Sequence, residues 1–261
     1  MLKKLFCLII LIVFASIGCA SAKESNKTDL YQSIIKRDKM IVGISFDSKP
    51  FGFKDSDGKI KGMEVDLARE VAKRILGDEN KLIFKKVSSQ DRIKLANSGD
   101  VDMVISTLTI TPQRNKLVNF STPYFVAGQV ICVRKNSKID SVDDLLNKKV
   151  IVELGTTGEK NIKRFAPNAL IQAYDNNSDA INAFKDGVGD AITTDDSLLQ
   201  GLVMDHGDYI ILPKKLTKES YGIAFEKSKQ TNSLKNNINK IIKEISFDGT
   251  LVAIKNKWGV N

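Results

Sequence analysis

The feature that most constrains the fold is an alternation of short apolar runs with amphipathic stretches, which begins at residue 40 and occurs twice. In the first half, residues 40–44, 82–87 and 101–105 have the length and apolar character of buried strands. Between them, residues 64–75 and 92–98 carry apolar side chains at helical spacing, and a glycine follows each stretch. This β-α-β-α-β order predicts a mainly parallel sheet covered by helices.

The same alternation starts again in the second half of the chain. The strand-like runs there are residues 130–133, 150–152, 170–173 and 191–193. The helical stretches are residues 142–146, 158–165, 178–186 and 197–204. The tail adds an extended run at 221–225 and a helix whose apolar face comprises Leu234, Ile238, Ile241, Ile242 and Ile245. We therefore predict an α/β protein with two similar lobes.

The connection between the predicted lobes is a pair of crossings. No long Pro- or Ser-rich linker separates the two halves, and residues 124–133 and 220–225 are the extended segments expected to cross. A double crossing makes a hinge, and clefts beside hinges favour binding sites. We predict a first lobe of residues 23–127 plus 221–261 and a second lobe of residues 128–220.

The first 22 residues have the layout of a secretory signal peptide. Two lysines precede an apolar run over residues 5–15, and small residues follow. The run is shorter than the roughly 20 residues that a membrane-spanning helix needs. Cleavage before Lys23 would give a soluble periplasmic protein, whereas residues 17–19 resemble a lipobox that would make Cys19 a lipid anchor. In both cases we expect a protein that works outside the cytoplasm.

Composition excludes several functional classes. The formal net charge is +9, but the lysines are dispersed among acidic residues, so nucleic acid is not an expected partner. Cys132 is the only cysteine beyond the signal region, which excludes an intrachain disulfide and a Cys-based metal site there. Sequence signatures of serine hydrolases and zinc peptidases are absent. We therefore expect a binding protein without a cofactor rather than an enzyme.

Residues 106–114, with the sequence STLTITPQR, are the most informative segment for chemistry. They follow a strand-like run, and Pro112 suits the first turn of a helix. The N–H groups at a helix start are unpaired and the helix dipole favours an anion there. Because Arg114 can add a planar fork of donors, the segment is a candidate carboxylate receptor. A capped helix with a surface arginine is the alternative interpretation.

An ordered set of short motifs resembles the polar amino-acid family of bacterial extracellular solute-binding proteins, family 3. The motifs are GMEVDL at 62–67, GDVD at 99–102, TITPQR at 109–114, NFSTPY at 119–124, GDA at 189–191, TDD at 194–196 and DGT at 248–250. The resemblance implies the two-lobed Venus-flytrap fold of type II periplasmic binding proteins. It also implies a monomer that passes a free amino acid to an ABC transporter permease in the cytoplasmic membrane.

The resemblance also implies roles for individual residues. Thr107 and Thr109 would offer backbone and hydroxyl groups to the ligand. Arg114 would clamp the α-carboxylate, and Thr157 would add a donor from the second lobe. Asp195 would take the α-ammonium, although on its own it could equally be a helix N-cap.

For the ligand side chain, the resemblance points to glutamate, aspartate or glutamine, because Arg92 stands in a context typical of their binders. Glu153 lies where some glutamine binders carry a lysine, and it would repel an anionic ligand if it faced inward. Ser48 and Met63 replace aromatic residues common in the family, and Met63 would cover the apolar stem of the ligand. Ser45 completes the expected ligand-binding set. A basic amino acid is the alternative ligand. The alternative functions are an exported enzyme resembling cyclohexadienyl dehydratase, and a surface adhesin or sensor.

Overall fold

The computed structural model describes residues 29–205 and 207–260, so the predicted signal peptide and both predicted processing sites lie outside the described residues. The strands are β1 Met40–Ile44, β2 Asp47–Ser48, β3 Gly52–Lys54, β4 Ile60–Lys61, β5 Leu82–Lys86, β6 Met103–Ile105, β7 Asn119–Phe120, β8 Phe125–Ala127, β9 Gln129–Arg134, β10 Lys149–Glu153, β11 Leu170–Tyr174, β12 Ala191–Asp195, β13 Tyr209–Ile211, β14 Glu219–Tyr221 and β15 Ala224–Phe225.

The helices cover most of the stretches predicted from apolar spacing. They are α1 Leu30–Arg37, α2 Met63–Leu76, α3 Arg92–Ala96, α4 Pro112–Asn115, α5 Thr157–Phe165, α6 Asn177–Lys185, α7 Asp196–Asp205, α8 Asn232–Phe247 and α9 Thr250–Lys257. The stretch predicted as a helix at 142–146 is a 3₁₀ turn, Val142–Leu145, and a second such turn is Lys229–Thr231. In the part of the chain that the structure describes, no helix is both long and apolar enough to cross a membrane.

Two sheets form the two lobes, and both are mixed. The first sheet has the strand order β5-β1-β6-β15-β7, and the second has the order β11-β10-β12-β9-β13. The strands joined through helices run parallel, as the β-α-β pattern predicts. However, β15 and β9 run antiparallel to their neighbours. The α/β class with mainly parallel sheets is confirmed, because four strands of each sheet share one direction. The reversed strand is β15 in the first sheet and β9 in the second, and each enters its sheet directly from a crossing without an intervening helix.

The two crossings pair with each other. Strands β8 and β14 are antiparallel, with Phe125 opposite Tyr221 and Ala127 opposite Glu219. The Tyr221 ring lies 5.6 Å from that of Phe125 and 5.8 Å from that of Phe51, measured between centroids. The hinge is therefore a short ribbon packed on aromatic side chains of the first lobe. The boundaries of the two lobes at residues 127/128 and 220/221 stay a prediction.

The first-lobe core consists mainly of helix faces whose apolar character was predicted from the sequence. The apolar face of α8 is buried, with Leu234, Ile238 and Ile245 fully inaccessible. It packs with the buried side of α2, which includes Leu67 and Val71. This packing fixes α2, and so it also fixes Glu64 in the first turn of that helix.

Gly62 and Gly77 flank α2, and both have positive φ angles, of 133° and 74°. A Cβ atom at position 62 would lie 1.9 Å from the Phe51 carbonyl oxygen, whereas one at position 77 would meet no atom within 4 Å. We expect Gly77→Ala to cost about 1 kcal/mol of unfolding free energy, since only the left-handed conformation is penalised. Gly62→Ala should cost more than about 4 kcal/mol because the backbone must also move. Urea unfolding of both variants measures the difference, and equal losses would contradict the assigned turn geometry.

Candidate functional site

The candidate site is a cavity between the lobes, where the carboxyl ends of the central strands of both sheets meet. This is the position where open α/β sheets bind ligands. The cavity is lined by Ser89, Arg92, Thr107, Thr109, Glu153, Thr156, Thr157, Gly158, Thr194, Asp195 and Leu198. The first lobe contributes the segments after β5 and β6, and the second contributes the last residues of β10 and β12 and the segments that follow them.

The turn after β6 is held in an unusual backbone conformation. Thr107 has a φ of 41°, in the left-handed region that non-glycine residues rarely adopt. Its N–H donates to Glu64 Oε1 at 2.6 Å. Arg92 Nη1 donates to the carbonyl oxygens of Ser106 and Thr107, at 2.7 and 3.3 Å. These bonds fix the turn from both sides, and they direct Thr107 and Thr109 toward the cavity.

Arg114 stands behind Thr109 rather than in the cavity lining. Helix α4 is a single turn, too short for the strong helix-start anion site that the sequence suggested at this segment. Arg114 Nη1 donates to the Thr109 carbonyl oxygen at 2.9 Å, and Nη2 donates to the Gly155 carbonyl oxygen of the second lobe at 3.2 Å. Burial, together with repulsion from the Arg92 guanidinium, lowers the pKa of Arg114 to about 9. Arg114 therefore bridges the lobes at the edge of the cavity.

The second lobe presents the start of a longer helix to the cavity. Thr156 caps α5 by accepting the Glu159 N–H, and Thr157 and Gly158 line the cavity. The first N–H groups of such a helix have no intrahelical partner and favour an anion. Thr157 Oγ1 donates to Glu219 Oε2 at 2.9 Å and lies 3.4 Å from Thr109 Oγ1 across the cleft. The hydroxyl groups of both lobes thus meet at this end of the cavity.

Asp195 is the last residue of β12, two positions beyond the strand end predicted from the sequence. Its Oδ2 accepts a hydrogen bond from the Tyr221 hydroxyl of the hinge. Burial raises the pKa of Asp195 to about 7. A cationic group in the cavity would compensate this carboxylate, since a buried charge is costly unless it is paired.

Arg92 and Glu153 place opposite charges from the two lobes in the same cavity. The two residues are only 2% and 6% exposed. Burial lowers the pKa of the Arg92 guanidinium, and the Glu153 carboxylate opposes that shift more strongly than any other charged group. Burial also raises the pKa of Glu153 to about 7, while a hydrogen bond from Ser89 limits the rise. Glu153 does face inward, which was the open question for this residue.

The structure brings together five of the eight predicted ligand residues in the cavity lining: Arg92, Thr107, Thr109, Thr157 and Asp195. Arg114 lies at the edge. Ser45 and Met63 lie elsewhere: Ser45 Oγ donates to Asp47 Oδ1 at 2.9 Å. Met63, the first residue of α2, is fully buried in the first-lobe core and is not among the residues that line the cavity. The binding roles of all eight residues stay a prediction.

Several lining residues were not predicted from the sequence. Ser89, Thr156, Gly158, Thr194 and Leu198 complete the cavity. Ser89 and Thr156 each lie between a predicted strand and the next predicted helix, and that position alone could have indicated them. Glu64 was also missed as the acceptor for Thr107; its place in the GMEVDL motif was the available signal. The sequence around Leu198 does not indicate a cavity-lining role, because an apolar residue in a helix is usually part of the hydrophobic core.

Comparison with known proteins places this architecture among transport receptors. The profile of the bacterial extracellular solute-binding proteins, family 3, matches residues 40–261. A glutamine-binding protein of an ABC transporter from Bacillus subtilis is 39% identical, over 98% of this chain and 97% of its own. A glutamine-binding protein from Geobacillus stearothermophilus is 42% identical over 80% and 81%. The crystal structure of a cysteine-binding protein from Campylobacter jejuni superposes with a TM-score of 0.84 at 31% identity, covering 88% of this chain and 92% of that one.

The buried carboxyl groups predict how stability changes with pH. Burial raises the pKa values of Glu64, Glu153 and Asp195 to about 7, above their ordinary values. The folded protein therefore holds these protons more tightly than the unfolded chain, so their contribution to the unfolding free energy falls as pH rises from about 5 to about 8. In Glu153→Gln, the decrease in unfolding free energy between these pH values should be smaller than in the wild type by on the order of 2 kcal/mol. Urea unfolding of ligand-free protein at both pH values measures it, and an unchanged slope in the variant would contradict the assignment.

Proposed function

The chain belongs to the bacterial extracellular solute-binding proteins, family 3, and on that premise we propose that it binds free glutamine between its lobes and delivers it to an ABC-type permease. The two glutamine-binding relatives from Bacillus subtilis and Geobacillus stearothermophilus support this ligand. The long match to the first of them also supports a shared mode of transport.

The observation that carries the proposal is that the cavity offers separate partners for the two charges of an amino acid. The Asp195 carboxylate is suited to the α-ammonium group. The start of α5 at Thr157, together with Arg114 at the cavity edge, is suited to the α-carboxylate. A zwitterion loses hydration at both ends when it is buried, so a receptor needs both kinds of partner.

These partners also explain why binding would close the lobes. Asp195 and Thr157 belong to the second lobe, whereas Thr109 and Arg114 belong to the first. A ligand held by all of them stabilises the closed arrangement, because each lobe alone offers only part of its contacts. We infer that residues 23–127 plus 221–261 and residues 128–220 move as two bodies about the ribbon of β8 and β14.

We further propose that the protein is exported by its predicted signal peptide and acts as a monomer beside the membrane. Cleavage before Lys23 and a lipid anchor at Cys19 remain the two forms of the mature N-terminus. Binding without turnover is the proposed activity, and the naming of the curated relatives as binding proteins supports it. A permease that takes up glutamine is the proposed partner.

The ligand and the role of Asp195 are tested together by calorimetric titration. Residues 23–261 are unfolded and refolded to remove bound ligand, and are then titrated with glutamine, glutamate, arginine and cysteine. We expect glutamine to bind best. Asp195→Asn should weaken it by about 2–4 kcal/mol, because the α-ammonium group loses its charged partner.

Asp196→Asn is the matched control for this experiment. Asp196 is the neighbouring carboxylate, but it accepts the Gly128 N–H and pairs with Lys215 instead of lining the cavity. Its substitution should leave glutamine affinity within a few-fold of the wild-type value. Preference for arginine or cysteine over glutamine would overturn the proposed ligand, and unchanged affinity in Asp195→Asn would overturn the proposed ammonium site.

A further inference from the structure

We propose that the outward face of α8 is a membrane-contact surface, on which Phe247 enters the headgroup region of a bilayer while Lys240 and Lys243 bind its anionic headgroups. The occupant is a lipid bilayer that carries negatively charged phosphate groups. The inference goes beyond the proposed ligand. Of the proposed function, it uses only the export of the chain to the membrane surface.

The first observation is the exposure of Phe247, the last residue of α8. Phe247 is 95% exposed, whereas the next most exposed large apolar residue of the described chain, Leu146, is 58% exposed. An aromatic ring in contact with water on nearly all sides gains free energy wherever an apolar environment covers it. Phe247 is therefore the apolar side chain on the described surface that has most to gain from a partner.

The second observation is the position of Phe247 on its helix. The apolar face of α8, which includes Leu234, Ile238 and Ile245, is buried in the first-lobe core. Residues 236, 240, 243 and 247 are spaced three or four apart, so they form one stripe on the opposite side of the helix. This stripe reads Asn, Lys, Lys and Phe along the chain. The ring thus ends a polar stripe and contributes nothing to the packing of the first lobe.

The third observation is that the charge beside the ring is positive. Lys240 and Lys243 border the same open surface as the ring. The nearby acidic residues are Glu244 and Asp248, and Arg74 pairs with both, at 3.2 and 2.8 Å. Lys240 is 77% exposed and lies 3.8 Å from Glu244, while Lys243 forms no ion pair within the described part of the chain. The lysine charge around the ring is therefore available to an anionic partner.

An anionic bilayer matches both properties of this surface. Segments that lie at the membrane interface combine lysines, which attract anionic headgroups, with aromatic rings at the level of those headgroups. The alkyl stem of a lysine lets its charge stay among the headgroups while a neighbouring ring inserts. The net charge of the chain, formally +9, favours the same partner.

A second copy of the chain matches the surface less well. Two copies of the stripe would face each other with like charges. One ring and two lysine stems also cannot bury the roughly 800 Å² on each partner that a stable protein interface needs.

The contact would leave the ligand site free, because none of the described residues that line the cavity belongs to α8. A single ring and two lysines bind a bilayer weakly and reversibly. The surface would therefore concentrate the protein beside the membrane without holding it at one place.

The test measures how residues 23–261 partition onto vesicles by sedimentation at low salt. One set of vesicles contains equal parts of phosphatidylglycerol and phosphatidylcholine, and the other contains phosphatidylcholine alone. We expect the partition coefficient of the wild type to be at least about tenfold higher for the anionic vesicles. Lys240→Gln with Lys243→Gln should lower it by about fivefold for each lysine, and Phe247→Ser by at least about fivefold.

The second lobe offers matched controls. Leu146→Ser removes the next most exposed apolar side chain, and Lys148→Gln with Lys149→Gln removes two exposed lysines close to it. Both controls should keep the partition coefficient within about twofold of the wild-type value, because these residues lie outside the proposed surface. Equal losses in the controls and in the α8 variants would show a general effect of charge and apolarity, and would overturn the inference.

Phe247→Trp gives a readout specific to the ring. An interfacial tryptophan should preserve binding, and its fluorescence emission should shift to shorter wavelength when anionic vesicles are added. The wild type supplies the background, since Trp258 is its only tryptophan. Binding without such a shift would place the contact elsewhere on the molecule and overturn the inference.

The outcomes are independent of the proposed ligand. All α8 variants should bind glutamine as the wild type does, so a failure to bind glutamine would overturn the proposed function and leave the membrane contact standing. Equal partition of the wild type onto both kinds of vesicle would overturn the membrane contact alone. Binding only to vesicles that also contain membrane proteins would indicate a protein partner and would overturn it as well.

Discussion

The arrangement of the cleft depends on the free-energy cost of burying charged side chains. Arg92 and Arg114 are both almost fully buried, and a buried ion is tolerated only when hydrogen bonds replace its lost hydration. Each guanidinium donates to backbone carbonyl oxygens at the turn after β6 or at the segment before α5, while the buried Nε of Arg92 has no hydrogen-bond partner among the described residues. The same bonds fix the position of these segments. The same hydrogen bonds therefore stabilise the buried charges and fix the shape of the cavity.

The hinge takes part in this arrangement through aromatic side chains. Tyr221 belongs to β14, packs on Phe51 and Phe125, and donates its hydroxyl proton to Asp195 of the second lobe. Tyr124, just before β8, donates likewise to Glu64 of the first lobe. Each side of the ribbon thus contacts a buried carboxylate near the cavity. The acid that would meet the ligand ammonium group is positioned by the segment about which the lobes would move.

Much of the fold followed from the sequence, because apolar spacing records which side of an element is buried. The strands β1, β5 and β10 and the helices α2 and α8 were predicted on this basis, as was the helix that begins at Arg92. The one reversed strand in each mainly parallel sheet, β15 or β9, could not be predicted, since its direction depends on where a crossing enters the sheet. The surroundings of Met63 could not be predicted for a related reason: a residue at a helix start can face either the cleft or the core, and only packing decides between them.

The pairing of β8 with β14 has a consequence for the ancestry and engineering of such receptors. The chain leaves the first sheet and returns to it at neighbouring points, with Ala127 opposite Glu219. Everything between these points is continuous in sequence, and its covalent connections to the rest of the described chain run through one short ribbon. A genetic exchange of that segment between relatives therefore needs only two junctions, side by side in space. Such an exchange would replace the residues that one lobe contributes to the binding pocket, while the hydrophobic core of the other lobe stays unchanged.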